Sequence, residues 1–199
     1  MSETEDALND EGLDLIFRRA RSYNGYTSWP VTETEIRRIW ELTKMGPTSA
    51  NQSPARIVWC TTPESKEKLA ACCKPKNGDK VRKAPVTAII GMDLRFFDHL
   101  PRLFPHTDAR TAFAEDPVLA QTSAFRNSSL QGAYLILAAR ALGLDTGPMS
   151  GFDHKAVDAA FFAGTSVKSN FLCTVGHGDP TSIFARLPRL KFEEANTVI

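Results

Sequence analysis

The sequence has few of the features that mark a metal centre or a membrane segment. Its four cysteines, Cys60, Cys72, Cys73 and Cys173, do not show the paired spacing of a zinc site. The four histidines are scattered, and no two of them stand four residues apart on a helix. No run of about 18 apolar residues is present, and no charged start leads into a short apolar core. We therefore expect reduced cysteines, no metal ion and a cytoplasmic location.

Net charge is also almost absent. The chain has 24 Lys and Arg against 23 Asp and Glu, which gives a formal charge of +1, and the two signs are interleaved along its length. This balance gives no reason to expect nucleic-acid binding, because no segment of the sequence is visibly basic. With 199 residues and 42% hydrophobic content, the chain is predicted to form a single domain over residues 1–199 with one sizeable core. The acidic start, about residues 1–11, is predicted to be a frayed, solvated end.

Helical periodicity dominates the first half of the chain. A helix is predicted over residues 8–21, a second begins at a capping box formed by Thr32 and Glu35, and a third covers residues 63–73. Strands are predicted at residues 56–61, 85–92 and 170–175. Helices separated by a few strands that do not follow one another indicate an α+β fold, with helices layered on a small central sheet.

The strongest predicted helix covers residues 116–142. Asp116 is its expected N-terminal cap, Pro117 stands at its first position and Gly143 ends it. Its second half, GAYLILAARALG, is apolar on nearly every side. We therefore expect that half to be buried all round.

Several loops contain more polar groups than a turn requires. The segment GPTSANQSP, residues 46–54, separates a helix from a strand, and residues 21–25, 145–151 and 185–191 are predicted to be further loops. Asn77 and Lys80 precede the strand at residues 85–92. Together these loops contain the cationic, hydroxyl and amide groups, with glycine-flanked backbone, that a phosphorylated planar cofactor needs.

Two short segments resemble motifs of other enzyme classes, but neither motif is complete. Gly176-His177-Gly178 starts like a dinucleotide fingerprint, but Pro180 follows and too little chain remains for a βαβ unit. In Gly147-Pro148-Met149-Ser150-Gly151 the serine stands one place too late for a nucleophile elbow. Neither a Rossmann domain nor a serine hydrolase is expected.

Four longer blocks resemble a known family. LFPHTDAR at residues 103–110, AFRNSSLQ at 124–131, GLDTGPMSGFD at 143–153 and ARLPRLKFEEA at 185–195 occur in order, together with Arg21-Ser22 and GPTSAN. They resemble the FMN-dependent nitroreductase superfamily and, within it, the malonic semialdehyde reductases of pyrimidine (uracil) catabolism. The resemblance extends over about residues 13–195.

This resemblance implies a nitroreductase-like α+β fold with a small, mostly antiparallel central sheet flanked by helices. It implies an intertwined homodimer with one FMN at each subunit interface and NAD(P)H as co-substrate. The implied reaction is a ping-pong hydride transfer through FMN that reduces malonic semialdehyde to 3-hydroxypropanoate. Two alternatives stay open: a general NAD(P)H-dependent reductase of nitro compounds, quinones or enals, and a non-catalytic FMN-binding protein.

The resemblance also implies roles for individual residues, none of which is a catalytic side chain. The expected FMN-binding residues are Arg21, Ser22 and Tyr23, with Arg189 and Lys191, at the phosphate; Asn77 and Lys80 at the ring edge; Pro148, Met149, Ser150 and Gly151 near flavin N5; and, from the partner subunit, Pro47, Thr48, Ser49 and Asn51.

Two further arginines are candidates for the substrate carboxylate. Arg110 and Arg126 lie in the blocks most particular to the aldehyde reductase branch, although structural pairing with Asp108 or Glu115 is an equally open interpretation. The chain departs from many relatives at Gly25, where they have a base, and at Ser150, where they have a glutamate. This departure favours the aldehyde reductase branch over a general nitroreductase.

Overall fold

The computed structural model describes residues 7–199 and contains one four-stranded antiparallel sheet. Its strands are β1 Ala55–Cys60, β2 Val86–Asp93, β3 Asp145–Met149 and β4 Val167–Gly176. Their spatial order is β1-β2-β4-β3, so that β1 and β3 are the two edges. This arrangement confirms the predicted small antiparallel sheet flanked by helices.

Nine α-helices surround the sheet in the described part of the chain. They are α1 Asp10–Leu13, α2 Glu33–Thr43, α3 Pro63–Ala70, α4 Pro75–Lys83, α5 Leu100–Leu103, α6 Ala109–Glu115, α7 Pro117–Ala141, α8 His154–Phe161 and α9 Phe192–Ala195. A π-helical turn, Asp14–Arg18, continues α1. Short 3₁₀ turns lie at Ser49–Asn51, Phe96–His99 and Pro180–Ser182.

The two central strands are buried along most of their length, as expected of strands covered by helices on both sides. Ile90 of β2 packs with Leu135 of α7 in one cluster, and Ile89 of the same strand packs with Leu69 of α3 in another. Successive side chains of a strand point to opposite faces, so α7 and α3 cover opposite sides of the sheet. The sheet is therefore the middle of three layers.

Local signals explain where the main helices begin. The predicted capping box is present, with the Glu35 N–H donating to Thr32 Oγ1 over 3.2 Å and the Thr32 N–H donating to Glu35 Oε2 over 2.7 Å. Asp116 Oδ1 accepts from the N–H groups of Val118 and Leu119, which caps α7 as predicted. Both helix starts follow from residues that are neighbours in the sequence.

Two predictions about these elements are wrong. Residues 145–149 are an edge strand, not a loop; Pro148 is tolerated there because an edge strand needs hydrogen bonds on one side only. The second half of α7 is not buried all round, because Ala133 and Tyr134 are exposed within one chain. The predicted frayed end, about residues 1–11, overlaps α1 only at residues 10 and 11, and residues 1–6 lie outside the described residues, so it stays a prediction.

Candidate functional site

The chain after α1 runs beside the outer edge of β3. Ser22 pairs in parallel with Thr146, and the Tyr23 N–H donates to the Thr146 carbonyl over 3.0 Å. Gly147 permits this approach, since a Cβ there would lie 2.5 Å from the Tyr23 carbonyl oxygen. The edge strand thus places Arg21 and Ser22 at the end of the sheet.

A cavity of ≈ 560 Å³ opens beside Arg21 and contains four arginines. The residues that line it are Phe17, Ala20, Arg21, Ser22, Arg140, Phe184, Ala185, Arg186, Leu187 and Arg189. Within residues 7–199, no carboxylate lines this cavity. The cavity, named here the arginine cavity, is therefore a strongly cationic site suited to a phosphate.

The arginine cavity contains most of the predicted phosphate-binding residues. Arg21, Ser22 and Arg189 line it, whereas Lys191 is not among its lining residues and begins α9 with its N–H bonded to Glu194. Arg140 and Arg186 also line the cavity, although neither was among the predicted cofactor residues. Arg186 lies in the quoted ARLPRLK block, but the only signal for Arg140 is one charge inside an apolar helix.

The far end of β3 meets the first turn of α4. Asn77 Nδ2 donates to the Gly151 carbonyl over 3.1 Å, and the Lys74 N–H donates to the same oxygen over 3.0 Å. Lys80 is half-buried three residues after Asn77, on the same side of α4. The structure thus brings the 148–151 segment together with Asn77 and Lys80, two of the predicted ring-edge residues.

The polar loop at residues 47–51 lies elsewhere, before edge strand β1. The Ser49 N–H donates to Asn127 Oδ1 over 2.9 Å, which fixes the loop to α7. Along α7, Asn127 is 13 residues from Arg140, about 20 Å at 1.5 Å per residue. A single chain therefore does not bring Pro47, Thr48, Ser49 and Asn51 to the arginine cavity.

This loop also has unusual backbone angles. Ala50, Asn51 and Ser53 have φ values of 49°, 48° and 41°, in the left-handed region that favours glycine. Asn51 Nδ2 donates to the Leu103 carbonyl over 2.9 Å. Three such residues in one short loop indicate a shape imposed by its contacts.

The two candidates for a substrate carboxylate differ in their surroundings. Arg110 Nη2 donates to Asp98 Oδ1 over 3.0 Å, so it has a carboxylate partner, which is neither Asp108 nor Glu115. Arg126 is exposed on α7, next to the Asn127 that holds the 47–51 loop. In the described part of the chain no ion pair involves Arg126.

Burial perturbs two ionisable groups behind the arginine cavity. Asp145 accepts from the Gly178 N–H over 2.9 Å, and burial raises the pKa of its carboxyl group above the usual value. Burial lowers the pKa of the Arg140 guanidinium. Its Nε is buried and has no hydrogen-bond partner within residues 7–199. The four arginines of the cavity fit a phosphate group, and the amide and lysine of α4 at the other end of β3 fit the polar edge of a flavin.

Other classes of site are not found in the described residues. Among residues 7–199 no group of three His, Cys, Asp or Glu side chains is placed to hold a metal ion. Within the same range no helix is long and apolar enough to cross a bilayer. The four cysteines are free thiols.

Comparison with known proteins agrees with this geometry. The model of the nitroreductase family matches residues 17–177. A candidate NADH dehydrogenase/NAD(P)H nitroreductase of Burkholderia lata is 57% identical over 187 residues, which cover 94% of this chain and 96% of that protein. HadB of Ralstonia pickettii, described in the same words, is 56% identical over 189 residues, with 94% and 96% coverage.

Solved structures share the fold at low sequence identity. A candidate nitroreductase of Exiguobacterium sibiricum, solved in complex with FMN, superposes with a TM-score of 0.83 at 20% identity, covering 98% of this chain and 100% of that one. An enone reductase of gut-bacterial fatty acid saturation superposes with a TM-score of 0.84 at 16% identity, covering 97% and 100%. The sequence matches and the shared fold lead to one conclusion: the chain belongs to the nitroreductase family.

Proposed function

We propose that the protein is an NAD(P)H-dependent oxidoreductase that binds FMN and reduces a small anionic acceptor. The acceptor that we propose first is malonic semialdehyde, which is reduced to 3-hydroxypropanoate. The observation that carries this proposal is the arginine cavity, which lies at one end of β3 while Asn77 and Lys80 lie at the other. Strand β3 is long enough to follow a flavin from its phosphate to its ring. The FMN-bound relative and the NAD(P)H named in the Burkholderia and Ralstonia relatives support the choice of cofactors.

Each residue set has a distinct task in this proposal. Arg21 and Arg189 hold the phosphate, with Ser22 and Tyr23 beside it, and Lys191 reaches it from the C-terminal segment. Asn77 and Lys80 hold the ring edge, where the positive charge of Lys80 favours an anionic ring. The backbone of Pro148, Met149, Ser150 and Gly151 offers N–H groups alongside the ring.

The chemistry requires position and charge from the protein, not a side-chain nucleophile. When bound, FMN supplies hydride transfer in two halves, from NAD(P)H and then to the acceptor. The protein residues orient both reactants over one surface and stabilise the charge that develops on the acceptor oxygen.

The proposed site contains residues from two copies of the chain. The 47–51 loop is fixed about 20 Å along α7 from Arg140, and in this proposal a second subunit provides Pro47, Thr48, Ser49 and Asn51 to the flavin pocket. Large apolar side chains that a partner could cover are exposed on α7 and on the C-terminal segment. They include Phe125, Tyr134, Phe184, Leu187, Leu190 and Phe192. Such an extent of exposed apolar surface is typical of an interface.

Arg126 is the proposed carboxylate-binding residue. Asn127 holds the 47–51 loop, and Arg126 is its neighbour in the chain. If the loop lies at the partner's cofactor, Arg126 lies near that cofactor too. Arg110 already has Asp98 as its partner. Arg126 therefore replaces the pair of candidates as the single residue to test.

Kinetics with two acceptors test this assignment. Arg126→Ala is expected to raise the KM for malonic semialdehyde about tenfold, since a hydrogen bond to a charged group contributes about 1.5 kcal/mol or more. The KM for an uncharged nitroaromatic is expected to stay the same. Arg110→Ala is the matched comparison and is expected to leave both constants near their original values. An unchanged KM for the semialdehyde in Arg126→Ala would remove Arg126 from the site.

A second candidate function is a general nitro or quinone reductase, which the name of the 57% identical relative favours. Anaerobic stopped-flow distinguishes the two: the flavin is bleached with NADH or NADPH and then mixed with either acceptor. Fast reoxidation by malonic semialdehyde supports the first proposal, and reoxidation by the nitro compound alone supports the second. If NAD(P)H does not bleach the flavin, the protein is a non-catalytic FMN-binding protein.

A further inference from the structure

Arg140 is the one charged residue in the apolar second half of α7. It lies in the last turn of the helix, and its side chain reaches past the π-helical turn, where Nη1 donates to the Ile16 carbonyl over 3.3 Å. From there it lines the arginine cavity together with Arg21, Arg186 and Arg189. An apolar helix thus places a guanidinium at the wall of a cationic cavity.

The other three arginines already donate to backbone carbonyl groups. Arg21 Nη2 donates to Phe184, Arg186 Nη2 donates to Arg18 and Ala20 over 2.8 and 2.9 Å, and Arg189 Nη1 donates to Leu187 over 3.0 Å. These bonds fix the chain segments that surround the cavity. Some donors of these arginines are therefore engaged before any ligand arrives.

Within the described residues, Arg140 is the one of the four arginines whose guanidinium leaves a buried donor unsatisfied. Its Nε is buried without a hydrogen-bond partner, and no carboxylate within residues 7–199 forms an ion pair with it. Burial lowers its pKa, interactions with Cys173 and the Asp145 carboxylate oppose this shift, and the charge of Arg186 adds to it. A half-buried cation in these surroundings costs free energy. A native fold retains such a cation when a ligand or a structural contact offsets this free-energy cost.

We infer that Arg140 is a phosphate-binding residue, whose Nη2 group, which makes no hydrogen bond within residues 7–199, donates to the phosphate of the bound cofactor. This inference rests on the proposed function, because it takes the cofactor to be FMN. A phosphate monoester has a charge of about −1.5 to −2 near neutral pH and three acceptor oxygens, enough to engage several guanidinium groups. Arg140 would then discriminate FMN from riboflavin, which has the same ring and polyol but no phosphate.

A structural role is the competing explanation. A cation in the last turn of a helix is stabilised by the helix dipole, and the bond to Ile16 ties α7 to the π-helical turn. The two roles predict opposite effects of removing the charge from the flavin-free protein. A structural arginine stabilises that state, whereas a phosphate-binding arginine without its ligand leaves it unaffected or destabilises it.

The test compares the full-length protein with Arg140→Met, which keeps the length of the side chain and removes its charge. Arg140→Lys retains the charge and lacks the Nη2 group. Arg37→Met on α2 is the matched control, because Arg37 is exposed and lies outside the cavity. Flavin is removed from each protein, and the Kd values for FMN and riboflavin are measured by quenching of flavin fluorescence, together with the Tm of the flavin-free protein.

We expect Arg140→Met to raise the Kd for FMN at least tenfold, which is about 1.4 kcal/mol, and to leave the Kd for riboflavin unchanged. Its flavin-free Tm is expected to equal or exceed that of the original protein. Arg140→Lys is expected to raise the Kd for FMN by a smaller factor, and Arg37→Met is expected to change neither Kd.

Two results would overturn the inference while leaving FMN as the cofactor. One is an unchanged Kd for FMN in Arg140→Met. The other is an equal loss of affinity for FMN and riboflavin with a lower flavin-free Tm, the pattern of a structural residue. If the original protein binds neither flavin, the proposed function fails together with the inference.

Discussion

Asn127→Leu is expected to release the 47–51 loop without unfolding the protein. Three left-handed, non-glycine residues cost roughly 3–6 kcal/mol, at about 1–2 kcal/mol each. Four hydrogen bonds oppose this cost: Ser49 N–H to Asn127 Oδ1, Ser53 N–H to Thr48 Oγ1, Asn51 Nδ2 to Leu103 O and Gln52 Nε2 to Ser123 Oγ. At about 0.5–1.5 kcal/mol each they contribute roughly 2–6 kcal/mol. The backbone strain of the loop and the free energy of its hydrogen bonds are therefore nearly equal, so the loss of one bond is expected to open the loop.

Leucine has the same branching and the same number of side-chain heavy atoms as asparagine, although it is bulkier, and it cannot accept a hydrogen bond from Ser49. Leaving that N–H without its acceptor costs about 1–3 kcal/mol, which corresponds to a roughly 5-fold to 150-fold rise in the population of the open loop. Amide hydrogen exchange at residues 49 and 51–53 is expected to accelerate by this factor, while amides in the middle of β2 keep their protection.

The same variant tests the functional role of the loop. If the loop contributes to a partner's cofactor site, the FMN dissociation rate is expected to rise in Asn127→Leu. Gln121→Leu, at an exposed amide on the same helix, is the control and is expected to change neither rate. If exchange at the loop amides is unchanged in Asn127→Leu, the hydrogen bond to Asn127 does not hold the loop closed. If exchange rises equally in β2, the substitution destabilises the whole protein instead.

Two further substitutions test the region behind the arginine cavity. Burial raises the pKa of Asp145, so its ionised form lowers stability as pH rises through the interval between its unfolded and folded pKa values. Asp145→Asn can still accept from Gly178 and is expected to raise the Tm at pH 7, with a gain that vanishes below about pH 4; a lower Tm at pH 7 would contradict this. Gly147→Ala would place a Cβ 2.5 Å from the Tyr23 carbonyl oxygen, so it is expected to destabilise the protein by about 1–3 kcal/mol and to reduce its flavin content, both measured against the original protein. Full flavin content in this variant would show that Tyr23 can move without loss of the site.

Local sequence signals were sufficient for α1, α2, α3, α7 and the two central strands, whereas α4, α5, α6, α8 and α9 were not predicted. The capping box at Thr32 and Glu35 and the cap at Asp116 depend on residues three or fewer positions apart, so they are visible before folding. Strand β3 was missed because Gly147 and Pro148 oppose strand formation on local grounds. Its pairing with β4 and the close approach of Tyr23 override that preference.

The site was predictable in its parts but not in its arrangement. The resemblance named Arg21 and Arg189, and the fold brings both to one cavity. Arg140 was missed because periodicity alone does not show which side of an apolar helix meets a cationic cavity. The pairing of Arg110 with Asp98 joins residues on two separate elements, which the sequence pattern does not reveal.

The central claim is that the cofactor site is built from two copies of the chain, and subunit complementation tests it most directly. One chain has Arg21→Met with Arg189→Met, and the other has residues 48–51 replaced by glycine; neither is expected to retain FMN alone. If the loop acts on the partner's cofactor, a mixed dimer contains one site with both defects and one site with neither. We therefore expect purified mixed dimers to bind one FMN per dimer, and we expect NAD(P)H to bleach that flavin. If mixed dimers bind no flavin although the original protein does, each chain builds its site alone. That result would contradict a cofactor site built from two chains.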